Sequence, residues 1–443
     1  MLPEPCLSQS PEPFSRRLFR LAIANILANL MTPLAGIVDT AFLGHLADIR
    51  HLGGVALATV LFNFIYWSFG FLRMGTTGMT AQAAGRQADR EVLLIGLRHG
   101  GIALGIGLLI LLLQIPIREL GFSLLSATPA VKLSGQTFYD ARIWGAPAVL
   151  INLVLLGWFL GREKGSWVLL LSLVGNGGNV LLDYLFIVQW GWASTGAGWA
   201  TAASQYLVLG VGLVLVGREV PWQAINAAIP QLWDTAAFQA LFQLNRDILI
   251  RTFALVSSFA LFTNLSSALG AKVLAANTLL LQIVTLGAYF IDGLAFATES
   301  LAGSFHGSGD RQQLAALVKL SGGVSLSLGI IFALVFALLP RPLFSLLTHH
   351  IEVLEQADRY VWWLLPVLGF GSVAFMLDGY FLGLTAGRAL RNSTVLATGG
   401  GFLPVAIVAW NCQNPQLLWL ALTLFMATRA ITLGIVVPRT LKA

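Results

Sequence analysis

The sequence predicts an all-α integral membrane protein of about twelve transmembrane helices, in two six-helix lobes related by a pseudo-twofold axis along the membrane normal. Three observations predict it. First, 57% of the 443 residues are hydrophobic and only 10% are charged, where a soluble domain carries roughly 25% charged residues. With a mean hydropathy of +0.79, the solvent for most of this surface is lipid. Second, twelve apolar stretches reach the roughly 20 residues that a crossing helix needs. Third, the chain repeats itself with a spacing of about 221 residues.

The first six stretches run near 18–44, 52–77, 92–115, 142–161, 165–189 and 195–217. A polar, partly amphipathic segment near 218–240 separates them from six more, near 243–269, 274–302, 314–339, 358–384, 392–412 and 415–437. The expected organisation is therefore an N-terminal lobe over 1–217, a cytoplasmic linker over 218–240 and a C-terminal lobe over 241–443. Many of the 46 glycines fall inside the spans, where small residues let helix backbones approach closely.

The repeat rests on three anchors. "AAGRQADREVL" around Asp89 returns as "SFHGSGDRQQL" around Asp310, 221 residues later; Tyr139 and Tyr360 are also 221 apart, and Phe159 of "GWFLG" and Phe381 of "GYFLG" are 222 apart. Six helices is an even number, so both halves insert in the same orientation and enclose a central cavity.

Lys and Arg orient the chain. With the N-terminus inside, thirteen fall on the cytoplasmic side (Arg16, Arg17, Arg20, Arg86, Arg90, Arg162, Lys164, Arg218, Arg311, Arg388, Arg391, Arg439, Lys442) and six on the other (Arg50, Arg118, Lys132, Lys272, Arg341, Arg359). Both termini are expected in the cytoplasm, in a plasma (inner) membrane. The Pro-rich start has no basic n-region before an apolar core, so the first span is expected to act as an uncleaved insertion signal.

Several functions are excluded. The net charge of +6 is spread singly between apolar runs and forms no nucleic-acid tract. Cys6 and Cys412 give no redox or disulfide framework and are expected to be incidental. There is no HExxH, GxSxG, GxxxxGK[ST] or GxGD. The chain is not expected to be an enzyme, to hold a resident metal or cofactor, or to hydrolyse a nucleotide. Transport energy would then come from an ion gradient.

The informative residues are ionisable groups within the spans. A charge at bilayer depth costs ~2.5–3.5 kcal/mol, so it faces the protein interior or a wet cavity and usually has a function. Asp39 lies six residues before His45, and Asp183 six before Gln189. At ~1.5 Å per residue each sits ~9 Å below the outer end of its helix. Two carboxyl groups at matched depth can share one site. Asn176, Asn179 and Asp183, at i, i+3 and i+7, put two amides and a carboxyl on one face. Such a site can hold a proton, or bind sodium through its oxygens. Pro33, with Gly36 beside it, deprives the Asn29 carbonyl of its helical donor and marks a hinge candidate beneath Asp39.

The second half carries Asp292 and Glu299, seven apart on one face of the eighth span, and Asp378 in the tenth. These are expected in a substrate cavity. Arg246, Asp247 and Arg251 open the seventh span. The two arginines serve either as rim cations or as partners of the buried acids, and Asp247 and Arg251, at i and i+4, can neutralise each other.

These residues resemble the multidrug and toxic compound extrusion (MATE) family, in particular its DNA-damage-inducible F branch. "PLAGIVDTAFLGHL", "LGGVALATVLFNF", "FLRMGTTGMTAQAAG", "GAPAVLINLVLLGWFLG", "GNGGNVLLDYLF", "LNRDILIR", "YFIDGLAFATES" and "LDGYFLG" carry the resemblance over nearly the whole chain. It implies two lobes around a cavity and antiport of cationic or amphipathic compounds against protons or sodium. By this resemblance Asp39 and Asp183 match the N-lobe acids and Asn179 a supporting amide. Tyr139 and Thr201 match neighbouring polar positions, and Asp378 the C-lobe acid of another branch. That branch also has a Glu in its seventh helix, whereas no acid follows Asp247 in that span here. Proton coupling through the N-lobe is therefore favoured. The expected protein is a monomeric efflux antiporter working by alternating access. A lipid or polyprenyl-linked precursor flippase is the alternative within transport, and a non-transporting receptor or scaffold the alternative outside it.

Overall fold

A computed structural model describes residues 13–46, 48–345, 348 and 350–442; Cys6 lies outside them. Among the described residues, twelve helices are long and apolar enough to cross a bilayer. In chain order they are α1 (Phe14–Gly44), α2 (Arg50–Gly85), α3 (Asp89–Leu112), α4 (Pro129–Gly161), α5 (Gly165–Gln189), α6 (Ala193–Glu219), α7 (Thr235–Ala268), α8 (Ala271–Ser308), α9 (Arg311–Leu338), α10 (Ile351–Gly383), α11 (Gly387–Asn411) and α12 (Pro415–Lys442). The apolar stretches place all twelve. The main difference is at the start of α4 and α10, which begin earlier than the hydropathy suggests. Their first segments, Pro129–Arg142 and Ile351–Tyr360, are polar and end in a turn of 3₁₀ helix. The linker region holds a short helix, Trp222–Ala228, and α7 begins inside it at Thr235, capped by the Asp234 carboxylate.

The repeat is visible in the backbone. The 3₁₀ turns of α4 and α10 occupy equivalent places, Ile143–Gly145 and Val361–Trp363, and α5 and α11 each contain a π-turn, Tyr184–Gln189 and Ala397–Phe402. Left-handed residues recur in pairs 220 to 222 positions apart: Gln87 with Gly309, Glu163 with Thr385, Ala193 with Gln413. Each follows or precedes a span at the same place in its half.

The two halves meet along α1 and α2 on one side and α8 and α10 on the other. Their closest approach is at the end of the molecule that carries the start of α1. A Cβ on Gly307 would stand 2.1 Å from the Gln82 carbonyl oxygen, and one on Gly85 would stand 2.1 Å from that of Ser304. Only glycine permits this backbone contact. The Gln82 amide donates to the Gly383 carbonyl (2.9 Å) and to Thr385 Oγ1 (3.1 Å) across the same seam. Leu18, Leu21 and Ala22 at the start of α1 join an apolar core with Leu294, Ala297, Leu301 and Phe305 of α8. The Asn29 amide donates to the Tyr289 carbonyl (3.3 Å), and from Asn25 onward one face of α1 lines a cavity instead.

Candidate functional site: a cavity in the first half

The cavity has a volume of about 710 Å³ and is walled by α1, α2, α4, α5 and α6, with Phe296 of α8, among the described residues, the one contribution from the second half. Thr32, Gly36, Asp39 and Leu43 give it one wall, Ser172, Asn176 and Asn179 a second, and Thr201 and Gln205 a third. The periodicity explains the shared face: each set recurs at three or four residues.

Asp39, on the cavity wall, and Asp183, buried and outside the lining, come together. Their carboxyl groups lie within hydrogen-bonding reach of each other. Asp183 is 1% exposed, and among the described residues neither of its oxygens, nor Oδ1 of Asp39, finds a protein donor. Two carboxyl groups in contact out of water repel unless a proton or a cation sits between them. Asn179, whose amide is also unpartnered, stands one helical turn below Asp183. Asn176 donates to the Ser172 carbonyl (2.9 Å), and Ser172 Oγ donates to the Ala28 carbonyl (2.9 Å), which ties α5 to α1. The π-turn of α5 starts immediately after Asp183; such turns interrupt regular hydrogen bonding and recur at functional sites. Pro33 lies within α1 between cavity residues Thr32 and Ala35, and Thr40 Oγ1 donates to the Gly36 carbonyl (2.8 Å), a bond that bends helices.

Other expected cavity residues lie elsewhere. Thr201 lines the wall, but Tyr139 does not. It is fully buried, stacked on Phe62 at 5.2 Å, and donates to the Gln114 carbonyl (3.0 Å). Its neighbour Phe138 takes the cavity position, because successive residues on a helix point about 100° apart. Asp292, Glu299 and Asp378 also stand outside this cavity. Asp378 is held by the guanidinium groups of Arg251 and Arg429. Glu299, 0% exposed, pairs with Arg73 across the halves at 3.4 Å. Asp292 lies within Coulombic reach of Arg73, Arg251 and Arg429. Three carboxyl groups thus face three guanidinium groups in one cluster, with Arg73 at its cavity edge. Arg251 does not neutralise Asp247 as the i, i+4 spacing allowed. It turns to Asp378, and Asp247 is taken by Arg391 (2.8 Å) and Arg246 (3.3 Å).

The span arginines are what sequence reasoning missed. Arg73 and Arg142 line the cavity, and Arg429 is 0% exposed. The cost argument applied to buried acids applies equally to buried cations, and would have singled them out. Among the described residues no group of three His, Cys, Asp or Glu side chains is placed to hold a metal ion.

The MatE family profile matches residues 24–185 and 248–408, one stretch in each half. The chain belongs to the MatE family. It is 35% identical over 421 residues to DNA damage-inducible protein F of Escherichia coli (strain K12), covering 95% of this chain and 91% of that protein. Among solved structures, a MOP superfamily transporter from Pyrococcus furiosus Vc1 superposes with a TM-score of 0.86 at 17% identity, covering 98% of this chain and 97% of that one. An outward-facing multidrug resistance MATE family transporter superposes with a TM-score of 0.85 at 18% identity, covering 98% of both chains. At these identities the two structures speak for the shared fold alone. As a MatE protein the chain is a multi-pass membrane efflux transporter and not an enzyme.

Proposed function

We propose that this MatE protein is an antiporter that exports amphipathic organic compounds in exchange for protons, through the cavity of its first half. The observation that carries this reading is the approach of Asp39, on the cavity wall, to the buried Asp183. A proton arriving from outside is taken by the pair, α1 changes its bend at Pro33 and Gly36, and substrate affinity falls. Coupling requires that proton and substrate differ in affinity for the two states. Protons are favoured over sodium because the liganding oxygens are few: two carboxyl groups and the neighbouring amide of Asn179. The second half is not the coupling site in this reading, since Arg251 and Arg429 already neutralise Asp378.

The protein works as a monomer in the plasma membrane, with both termini cytoplasmic. The lobes 1–217 and 241–443 rock against each other about the linker 218–240. In that orientation the seam at Gly85 and Gly307 is the cytoplasmic end, so the cavity faces outward. A second reading, lipid or polyprenyl-linked precursor flipping, is favoured by Arg73 and Arg142 in the cavity wall, since guanidinium groups suit phosphate headgroups. The deciding experiment is dye efflux from proteoliposomes under separately imposed pH and sodium gradients, beside a lipid-flipping assay. The proposal requires efflux driven by the pH gradient and lost in Asp39→Asn and Asp183→Asn. Sodium-driven efflux alone, or lipid flipping without dye movement, would overturn it.

A further inference from the structure

Behind the cavity wall lies a side pocket of about 110 Å³, walled by Tyr66, Arg142, Gly145, Val149, Thr201, Ala202 and Gln205. Arg142, Thr201 and Gln205 line both spaces. Arg142 is the unusual member. Its guanidinium lies over the Phe62 ring at 4.4 Å and the Phe138 ring at 5.5 Å, and its Nε is buried without an acceptor. The acid nearest in electrostatic effect is Asp39, on the cavity side, which shares its contact with Asp183. By contrast Arg251 and Arg429 hold Asp378, and Arg73 holds Glu299. Arg142 is half-buried, facing both spaces, and among the described residues no carboxylate is hydrogen-bonded to it, so what fills the adjoining space matters.

The remaining polar groups point the same way. The Tyr66 hydroxyl is buried without a partner. Gln205 accepts from Asn152 at both its backbone and side-chain oxygens (2.9 and 3.1 Å), which leaves its NH₂ as the unused group. Thr201 spends its proton on the Ala197 carbonyl (2.9 Å). Among the described residues no carboxylate lines the pocket. At about 30 Å³ per water, the volume suits a small ion with one or two waters.

We propose that this pocket is a binding site for a small monovalent anion, held by the Arg142 guanidinium with the Gln205 amide and the Tyr66 hydroxyl. The ligand is either a halide from solution or the carboxylate of an organic molecule reaching in past Thr201 and Gln205. The link between this site and the acid pair rests on the proton reading above. The charged and titratable groups around it are Asp39 on α1, Tyr66 on α2, Asp183 on α5 and Tyr206 on α6, whose hydroxyl is engaged with the Trp144 carbonyl (2.9 Å). With one proton on the pair, its remaining negative charge balances Arg142. A second proton removes that balance, and the anion then restores it. By reciprocity, proton and anion each tighten the binding of the other.

The test uses the full chain, purified, with bromide as the probe. Anomalous diffraction from bromide-soaked crystals is expected to give a peak between Arg142 and Tyr66. Thermal unfolding at fixed ionic strength should rise saturably with bromide, with affinity about tenfold tighter near pH 5.5 than near pH 8. Arg142→Gln should lose the response, Tyr66→Phe should weaken it several-fold, and Arg142→Lys, which keeps the charge, should retain part of it. Displacement of bromide by chloride alone marks an inorganic ligand, and displacement by a short alkyl carboxylate marks an organic acid; both support the site. Absence of the peak, with water only in the pocket, would overturn the proposal. So would an unchanged halide response in a folded Arg142→Gln. Proton-driven efflux measured on the same preparation separates the two claims: efflux without bromide binding removes the anion site and leaves the antiport.

Discussion

The same substitution, Asp to Asn, is expected to have opposite consequences at two buried acids. Asp378 is 3% exposed and sits between Arg251 and Arg429. Neutralising it leaves two buried guanidinium groups with Asp292 as the one remaining acid near both. Breaking a buried pair from one side costs about 3–5 kcal/mol, or roughly 6–20 °C of thermal midpoint at ~2–4 °C per kcal/mol. Asp39→Asn removes no such partner. Oδ1 of Asp39 has no protein donor, and an amide in its place can donate to Asp183, so stability should change by no more than about 1 kcal/mol. Transport should respond in the reverse order. Asp39→Asn abolishes efflux at equal expression, and whatever Asp378→Asn protein folds still responds to a pH gradient. Thermal unfolding in detergent and dye efflux from proteoliposomes, run on both variants, give the two axes. Wild-type stability for Asp378→Asn, or wild-type efflux for Asp39→Asn, refutes the division between a structural cluster and a working site.

Further outcomes follow from other contacts. Gly307→Val places methyl groups against the Gln82 carbonyl; it should hold the seam open, lowering stability by about 1–3 kcal/mol and cutting transport, as read by spin-label distances across the two halves. Pro33→Ala returns a donor to the Asn29 carbonyl and straightens α1, so efflux should slow several-fold with the thermal midpoint unchanged or raised; full-rate efflux rules out a hinge there. Asn277→Ala strips the acceptor from the Trp419 indole (2.9 Å) and the donor to Ser266 (2.8 Å), at a cost of about 1–3 kcal/mol with ion selectivity unaltered. Glu299→Gln leaves Arg73 on the cavity wall without its 3.4 Å partner and should raise the affinity of acidic amphiphiles over basic ones in a competition efflux assay.

Hydropathy is a local property, so the twelve spans, their order and the internal repeat were legible in the sequence, as was the matching depth of Asp39 and Asp183 on two parallel helices. The cost of burying charge marked those acids as worth following. Rotation of each helix about its axis is not local. Whether Phe138 or Tyr139 meets the cavity depends on a turn of about 100°, and only packing of α4 against α2 and α6 sets it. Partners were equally hidden. Arg251 and Asp378 are 127 residues apart and Arg73 and Glu299 are 226 apart, so no spacing rule pairs them, and the i, i+4 neighbour Asp247 loses Arg251 to an acid on another helix and is taken by Arg391 instead. The tertiary structure alone decided which ionisable groups are cancelled and which remain unsatisfied, because that balance is struck between helices that the chain brings together only when folded.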